Sequence, residues 1–140
     1  MTNKIKHLLS VTTVAVFFVL AIASSSDSNT EKEISESTTI ISISAQQLYQ
    51  EYAANEVAAD QKYKGQILSV TGTVDAIAKD ITDNIYVTLK GDEFLGDVQC
   101  FFADEHTNET AQLSKGMRIT VKGQCDGKMM NILLRGCAVQ

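Results

Sequence analysis

Hydrophobic and polar positions divide the chain into three stretches. Behind Lys4, Lys6 and His7 runs an almost wholly apolar segment, Leu8 to Ala23, that ends in Ala21-Ile22-Ala23. A positive start, an apolar run and a small-x-small site, in that order, are the parts of an export signal. The pattern therefore predicts a signal peptide over residues 1–23. An uncleaved N-terminal anchor is the alternative, because the uncharged stretch extends to Ser26 and nearly reaches bilayer length. No cysteine follows the run, so a lipid-modified N-terminus is not expected. Residues 24–41 are then mostly polar, and between Ser24 and Thr39 only Ile34 is a large apolar residue. Such a composition buries too little surface to offset the entropy of ordering, which predicts a disordered tether. Residues 42–140 carry the periodic patterns of one folded domain.

The domain opens with helical spacing. Ala45, Leu48, Tyr49 and Tyr52 form one apolar stripe. Ser44 is placed as N-cap with Gln47 to close a capping box, and Ile43 can staple onto Leu48. Asn55 is a stop signal, and Val57, Ala58 and Tyr63 suggest a second short helix. After Gly65 the period changes to two. A long strand is predicted over Ile67–Ala78, with Gly72 as a bend in its middle. A second strand carries Ile85, Val87 and Leu89, and a third carries Val98, Cys100 and Phe102. A short helix follows within Ala103–Lys115, with Asp104 or Thr107 as its cap. A fourth strand carries Met117, Ile119 and Val121. Asp126-Gly127 reads as a hairpin turn, and the fifth strand is Asn131–Val139.

Strand, strand, strand, helix, strand, strand, with the first strand long and bent, is the order of the five-stranded OB barrel. The expected fold is thus mainly β: an OB barrel with an N-terminal helix and a helix between strands three and four. The predicted interior holds Leu68, Val70, Val74, Ile85, Val87, Leu89, Val98, Cys100, Phe102, Met117, Ile119, Val121, Ile132 and Leu134.

Charge limits the choice of partner. The whole chain has a net charge of −5 and a pI near 4.9. From Ser42 to Gln140, nine Lys and Arg face thirteen Asp and Glu. Nucleic-acid affinity rests first on cations that neutralise phosphates, so this balance disfavours a polyanion while leaving a local basic patch open.

The stretch NEVAADQKYK from Asn55 to Lys64, VTGTV from Val70, VQCFF from Val98 and GMRITVKGQCDG ending at Gly127 together resemble the bacterial exported OB-fold family known as tRNA-anti-like. The resemblance covers Ile43 to Val139. It implies an export signal before a single barrel. The family name marks a distant likeness to tRNA-anticodon-binding OB domains and implies no demonstrated tRNA partner, since a fold alone does not fix a function. Many members resemble lipoproteins, and this chain departs from them in lacking the lipid-acceptor cysteine.

OB domains commonly take ligands on the face of their second and third strands. Alternation puts Tyr86 and Phe101 outward there, where they can stack on bases or sugars. Lys90 adds charge, and Thr88 and Gln99 add hydrogen-bonding groups. Cover by the N-terminal helix through Leu48 and Tyr52, or by a second subunit, is the competing expectation. Cys100, Cys125 and Cys137 fall on strand three, the hairpin turn and strand five. Strands three and five are neighbours in an OB barrel, which favours a Cys100–Cys137 disulfide if both side chains face the same way. Three unlinked thiols remain the alternative, and an odd Cys125 would be free to link two chains. Metal is not expected, because the cysteines are widely spaced and His106 is the sole histidine outside the signal segment. Asp92, Glu93 and Asp97 read as a solvated acidic turn. Cys100 with His106 is the one conceivable nucleophile and base, and strand parity turns Cys100 inward.

The expectation is an exported binding module, periplasmic or secreted, without catalysis or cofactor. Its partner would be a protein or a small envelope molecule. Single-stranded nucleic acid or oligosaccharide on the strand two–three face is the alternative. Membrane contact would come only through an uncleaved N-terminal segment.

Overall fold

The computed structural model describes residues 38–93 and 96–140. The expected signal peptide and nearly all of the expected tether lie outside the described residues. The described residues fall within the compact unit Ser37–Gln140. Among them, no helix is long and apolar enough to cross a membrane.

The elements follow the predicted order with one addition. Strand β1 (Ile41–Ser44) leads into helix α1 (Ala45–Ala54) and helix α2 (Glu56–Tyr63). Strands β2 (Ile67–Lys79), β3 (Ile85–Asp92) and β4 (Gly96–Phe102) come next. A 3-10 turn at Asp104–His106 and a one-turn helix α3 (Thr107–Thr110) then precede β5 (Arg118–Lys128) and β6 (Ile132–Val139). The sheet order is β1-β2-β3-β4-β6-β5, and β2 also pairs with β5, which closes five strands into a barrel. The β4–β6 pair is parallel. β1 lies outside the barrel, parallel to β2, from Ile41 opposite Leu68 to Ser44 opposite Thr71. Its four residues are too short for a period to show, so the sequence pattern gave no sign of it.

The predicted bend is real. Ile67–Thr73 of β2 pair with β5, whereas Val74–Lys79 pair with β3, and the register slips between Val74 and Ala76. One strand thus serves both sides of the barrel, turning near Gly72. A Cβ on Gly72 would stand 2.9 Å from the Cβ atoms of both Ala45 and Leu89. The glycine therefore admits the start of α1 against the barrel wall.

Capping follows the sequence with one difference. Ser44 Oγ accepts the Gln47 N–H at 3.1 Å. The Gln47 side chain turns instead to Glu51 Oε1, 3.3 Å away, so no reciprocal box forms. Asn55 ends α1 and its side chain accepts the Ala58 N–H at 3.0 Å, capping α2. The segment after β4 is shorter than predicted, and neither of its turns has a side-chain cap. Asp126-Gly127 is not the hairpin turn: both residues lie within β5, where Gly127 has φ +89° beside a register slip, and the chain reverses after Lys128.

Most of the predicted interior is buried. Ile85 is only half-buried because it opens β3, and Met117 is exposed because it lies just before β5 and not within the predicted fourth strand. Tyr49, Tyr52 and Tyr63 complete the core from the two helices.

Candidate nucleic-acid interface

Antiparallel pairing of β3 with β4 sets Tyr86 opposite Phe101, Thr88 opposite Gln99 and Lys90 opposite Asp97. All five residues proposed for the ligand face therefore share one side of two adjacent strands. Tyr86 and Phe101 touch, with ring centroids 5.7 Å apart and planes at 54°. Both remain partly exposed. Leu48 and Tyr52 of α1 point into the core instead, so they do not form the predicted cover. The β2 residues opposite Tyr86 and Thr88 are Ala78 and Ala76, whose small side chains keep the floor low.

The rest of the face differs from expectation in detail. Thr88 is nearly buried and its Oγ1 accepts the Ala76 N–H at 3.0 Å, at the bulge of β2. Its role is local backbone support. Gln99 Oε1 accepts from Asn131 Nδ2 at 3.2 Å, and Asn131 Oδ1 accepts the Asp97 N–H at 3.1 Å, tying the β5–β6 turn to the edge of the face. Lys90 leans away from the rings toward Asp75, 4.0 Å distant. A cation missed by sequence reading supplies the face instead: the Arg135 guanidinium carbon lies 5.3 Å from the Phe101 ring centroid. Arg135 Nε also donates to Asp126 Oδ2 at 2.6 Å. Alternation on β6, which turns Arg135 outward beside the buried Leu134, is its only signal in the sequence.

The hairpin turn flanking the platform is rigidly tied. Asp80 accepts from the backbone and hydroxyl of Thr82 and from the backbone and side chain of Asn84, at 2.8 to 3.1 Å. These bonds, led by the Thr82 side chain, hold its carboxyl down at about 2. Ile81 stands fully exposed at the tip of this turn, and Met129 and Met130 stand exposed at the β5–β6 turn.

The remaining candidates separate. Cys100 and Cys137 are both fully buried and neighbour each other, and Cys125 is buried on β5 rather than exposed in a turn. All three are free thiols, and Cys125 is not accessible for linking two chains. His106 sits at the surface with Nδ1 2.8 Å from Glu109 Oε1, while Cys100 faces the interior. Among the described residues, no group of three or more His, Cys, Asp or Glu is placed to hold a metal ion.

The chain matches the tRNA_anti-like family over residues 1–138. It belongs to that family. As a tRNA_anti-like protein it is similar to a solved Klebsiella pneumoniae protein described as a "putative nucleic acid-binding lipoprotein". The two are 22% identical with a TM-score of 0.58, over 75% of this chain and 93% of the other. The barrel is also similar to part of the asparaginyl-tRNA synthetase of Entamoeba histolytica. That match is 16% identical with a TM-score of 0.47, over 73% of this chain and 24% of the synthetase. No curated protein matches the tRNA_anti-like chain.

Proposed function

We propose that this tRNA_anti-like protein is an exported, non-enzymatic binding module that holds short single-stranded oligonucleotides on its β3–β4 face. The observation that carries the reading is the partly exposed Tyr86–Phe101 pair with Arg135 over its edge. Two touching rings on a rigid sheet give successive bases a surface to stack on, whatever the base. The guanidinium adds a cation in reach of a phosphate or of a ring face. Support for nucleic acid comes from family membership and from the description of the Klebsiella protein. Support for export comes from the N-terminal pattern of charge, apolar run and small residues, and from the lipoprotein named in that same description.

A second reading is an oligosaccharide on the same rings. The acidic balance of the domain and the Gln99–Asn131 amide pair favour it. Sugars stack on aromatics through their C–H faces, take hydrogen bonds from amides, and feel no repulsion from an acidic protein.

The two readings separate in one titration. At low ionic strength a single-stranded oligonucleotide should bind, with an affinity that falls as salt rises. Tyr86→Ala should weaken it by about 2 kcal/mol, roughly thirtyfold. Fluorescence anisotropy measures both. No binding at low salt, with retained affinity for a neutral oligosaccharide, moves the assignment to the second reading.

A further inference from the structure

Beyond the aromatic face, we infer that the cavity at the start of α1 is a seat for a phosphate group. It has a volume of about 240 Å³ and is lined by Lys90, Lys115 and Arg118 together with Ser44–Gln46 and the bend of β2. Three cations from two segments, Lys90 on β3 and Lys115 with Arg118 where the chain enters β5, converge on one concavity in an otherwise acidic domain. Asp75 lies beside it and accepts from Lys115 at 3.2 Å, with Lys90 4.0 Å away. Asp97 is close enough to feel both lysines, and its own carboxyl is pushed up, first by burial and then by Asp75. Arg118 makes no ion pair among the described residues. Its planar fork suits two oxygens of one phosphate, which a lysine cannot match. The opening turn of α1 adds to this field, since the first amides of a helix have no partners within it and carry partial positive charge. Gly72 lets this turn approach the strand so closely.

The seat goes beyond the oligonucleotide reading, because it needs no aromatic platform. A phosphate group reaches it either as a free anion or phosphomonoester, or within a nucleic-acid backbone. Backbone amide shifts of the full chain, followed by NMR during titration with inorganic phosphate and separately with a single-stranded oligonucleotide, distinguish the sources. Saturable shifts at Ala45, Gln46 and Lys115–Arg118 with inorganic phosphate assign a free-anion seat. The same shifts with the oligonucleotide alone assign a phosphodiester seat. Arg118→Gln should raise the dissociation constant at least tenfold in either case. Tyr86→Ala should leave the phosphate response unchanged, which keeps this test separate from the test of the aromatic face. Shifts equalled by chloride at the same ionic strength, or undiminished in Arg118→Gln, overturn the seat.

A different observation carries a second proposal. We propose that Cys100 and Cys137 form a disulfide when the chain folds outside the cytoplasm. They sit on adjacent parallel strands, near the slip where Cys100 pairs with Leu134 and Phe102 with Cys137. Their thiols neighbour each other within the barrel. The contact with Cys137, and then burial, push the Cys100 thiol well above its ordinary range, so Cys100 stays protonated and out of reach of an oxidant once the barrel has closed. Oxidation therefore belongs to folding. An oxidised protein disulfide of the export compartment accepts two electrons and becomes a dithiol, while the two cysteines lose two protons and join. Alkylation in denaturant without reductant, read by mass spectrometry on chain recovered from the envelope, tests this. One alkylated cysteine, mapped to Cys125, is the expected result. Cys125→Ser should then leave no cysteine that reacts. Three alkylated cysteines overturn the disulfide.

Discussion

Gly72→Ala is expected to destabilise the domain by about 3 kcal/mol, the upper part of the range for overpacking. The new methyl would meet Ala45 Cβ on one side and Leu89 Cβ on the other, each at 2.9 Å. Neither can swing away, because a Cβ is fixed to its backbone. Relief requires α1 to lift from the strand or β3 to move out of register. Gly65→Ala is the control. Its Cβ would meet nothing within 4 Å, and the cost comes only from its φ of +82°, about 1 kcal/mol. Urea denaturation of both variants measures the difference. Equal losses would mean that β2 has slack at its bend. A large loss at Gly72 would also distort the phosphate seat, since the same contact brings the α1 turn to the cavity.

Gly72 also marks how far the sequence could be read. A glycine within an alternating strand pointed to the bend, and the order of strands pointed to the barrel. The reason for the glycine lay in its two neighbours across space, Ala45 and Leu89, which no local pattern connects. The same division holds at the ligand face. Strand parity placed Tyr86, Gln99 and Phe101 correctly, because alternation is a local property of a strand. Arg135 arrives from β6 through the parallel β4–β6 pairing, and β4 and β6 are far apart in the chain. Lys90 has the expected parity, yet Asp75 on β2 draws it from the rings toward the cavity. Asp126-Gly127 misled for a related reason. The dipeptide favours a positive φ, and a slip inside a strand uses that preference as readily as a turn does.

Truncating Tyr52 gives the other large effect: Tyr52→Ala should cost about 4 kcal/mol, as for a large aromatic removed from a core. The ring is almost wholly buried where α1, α2 and β5 meet, with the Tyr63 ring centroid 6.3 Å away. Its hydroxyl donates to Asp60 Oδ1 at 3.0 Å and lies 3.5 Å from Cys125 Sγ. Burial, with Cys125 and Asp60 adjacent, drives the phenol far above its ordinary range, so it stays protonated and continues to donate at any pH the fold survives. Tyr52→Phe separates packing from polarity. It keeps the ring and removes the donor, leaving Asp60 to rely on solvent, and should cost about 1 to 2 kcal/mol. Asp60 Oδ1 also lies 3.0 Å from where a Cβ on Gly127 would stand, so the carboxylate sits close against β5 at a position that glycine leaves open. Thermal unfolding of Tyr52→Ala, Tyr52→Phe and Asp60→Asn measures the partition. If Tyr52→Phe proves as costly as Tyr52→Ala, the hydroxyl and not the ring holds the two helices to the barrel. If it costs nothing, the helices are held by apolar packing alone, and the Asp60 contact contributes only orientation.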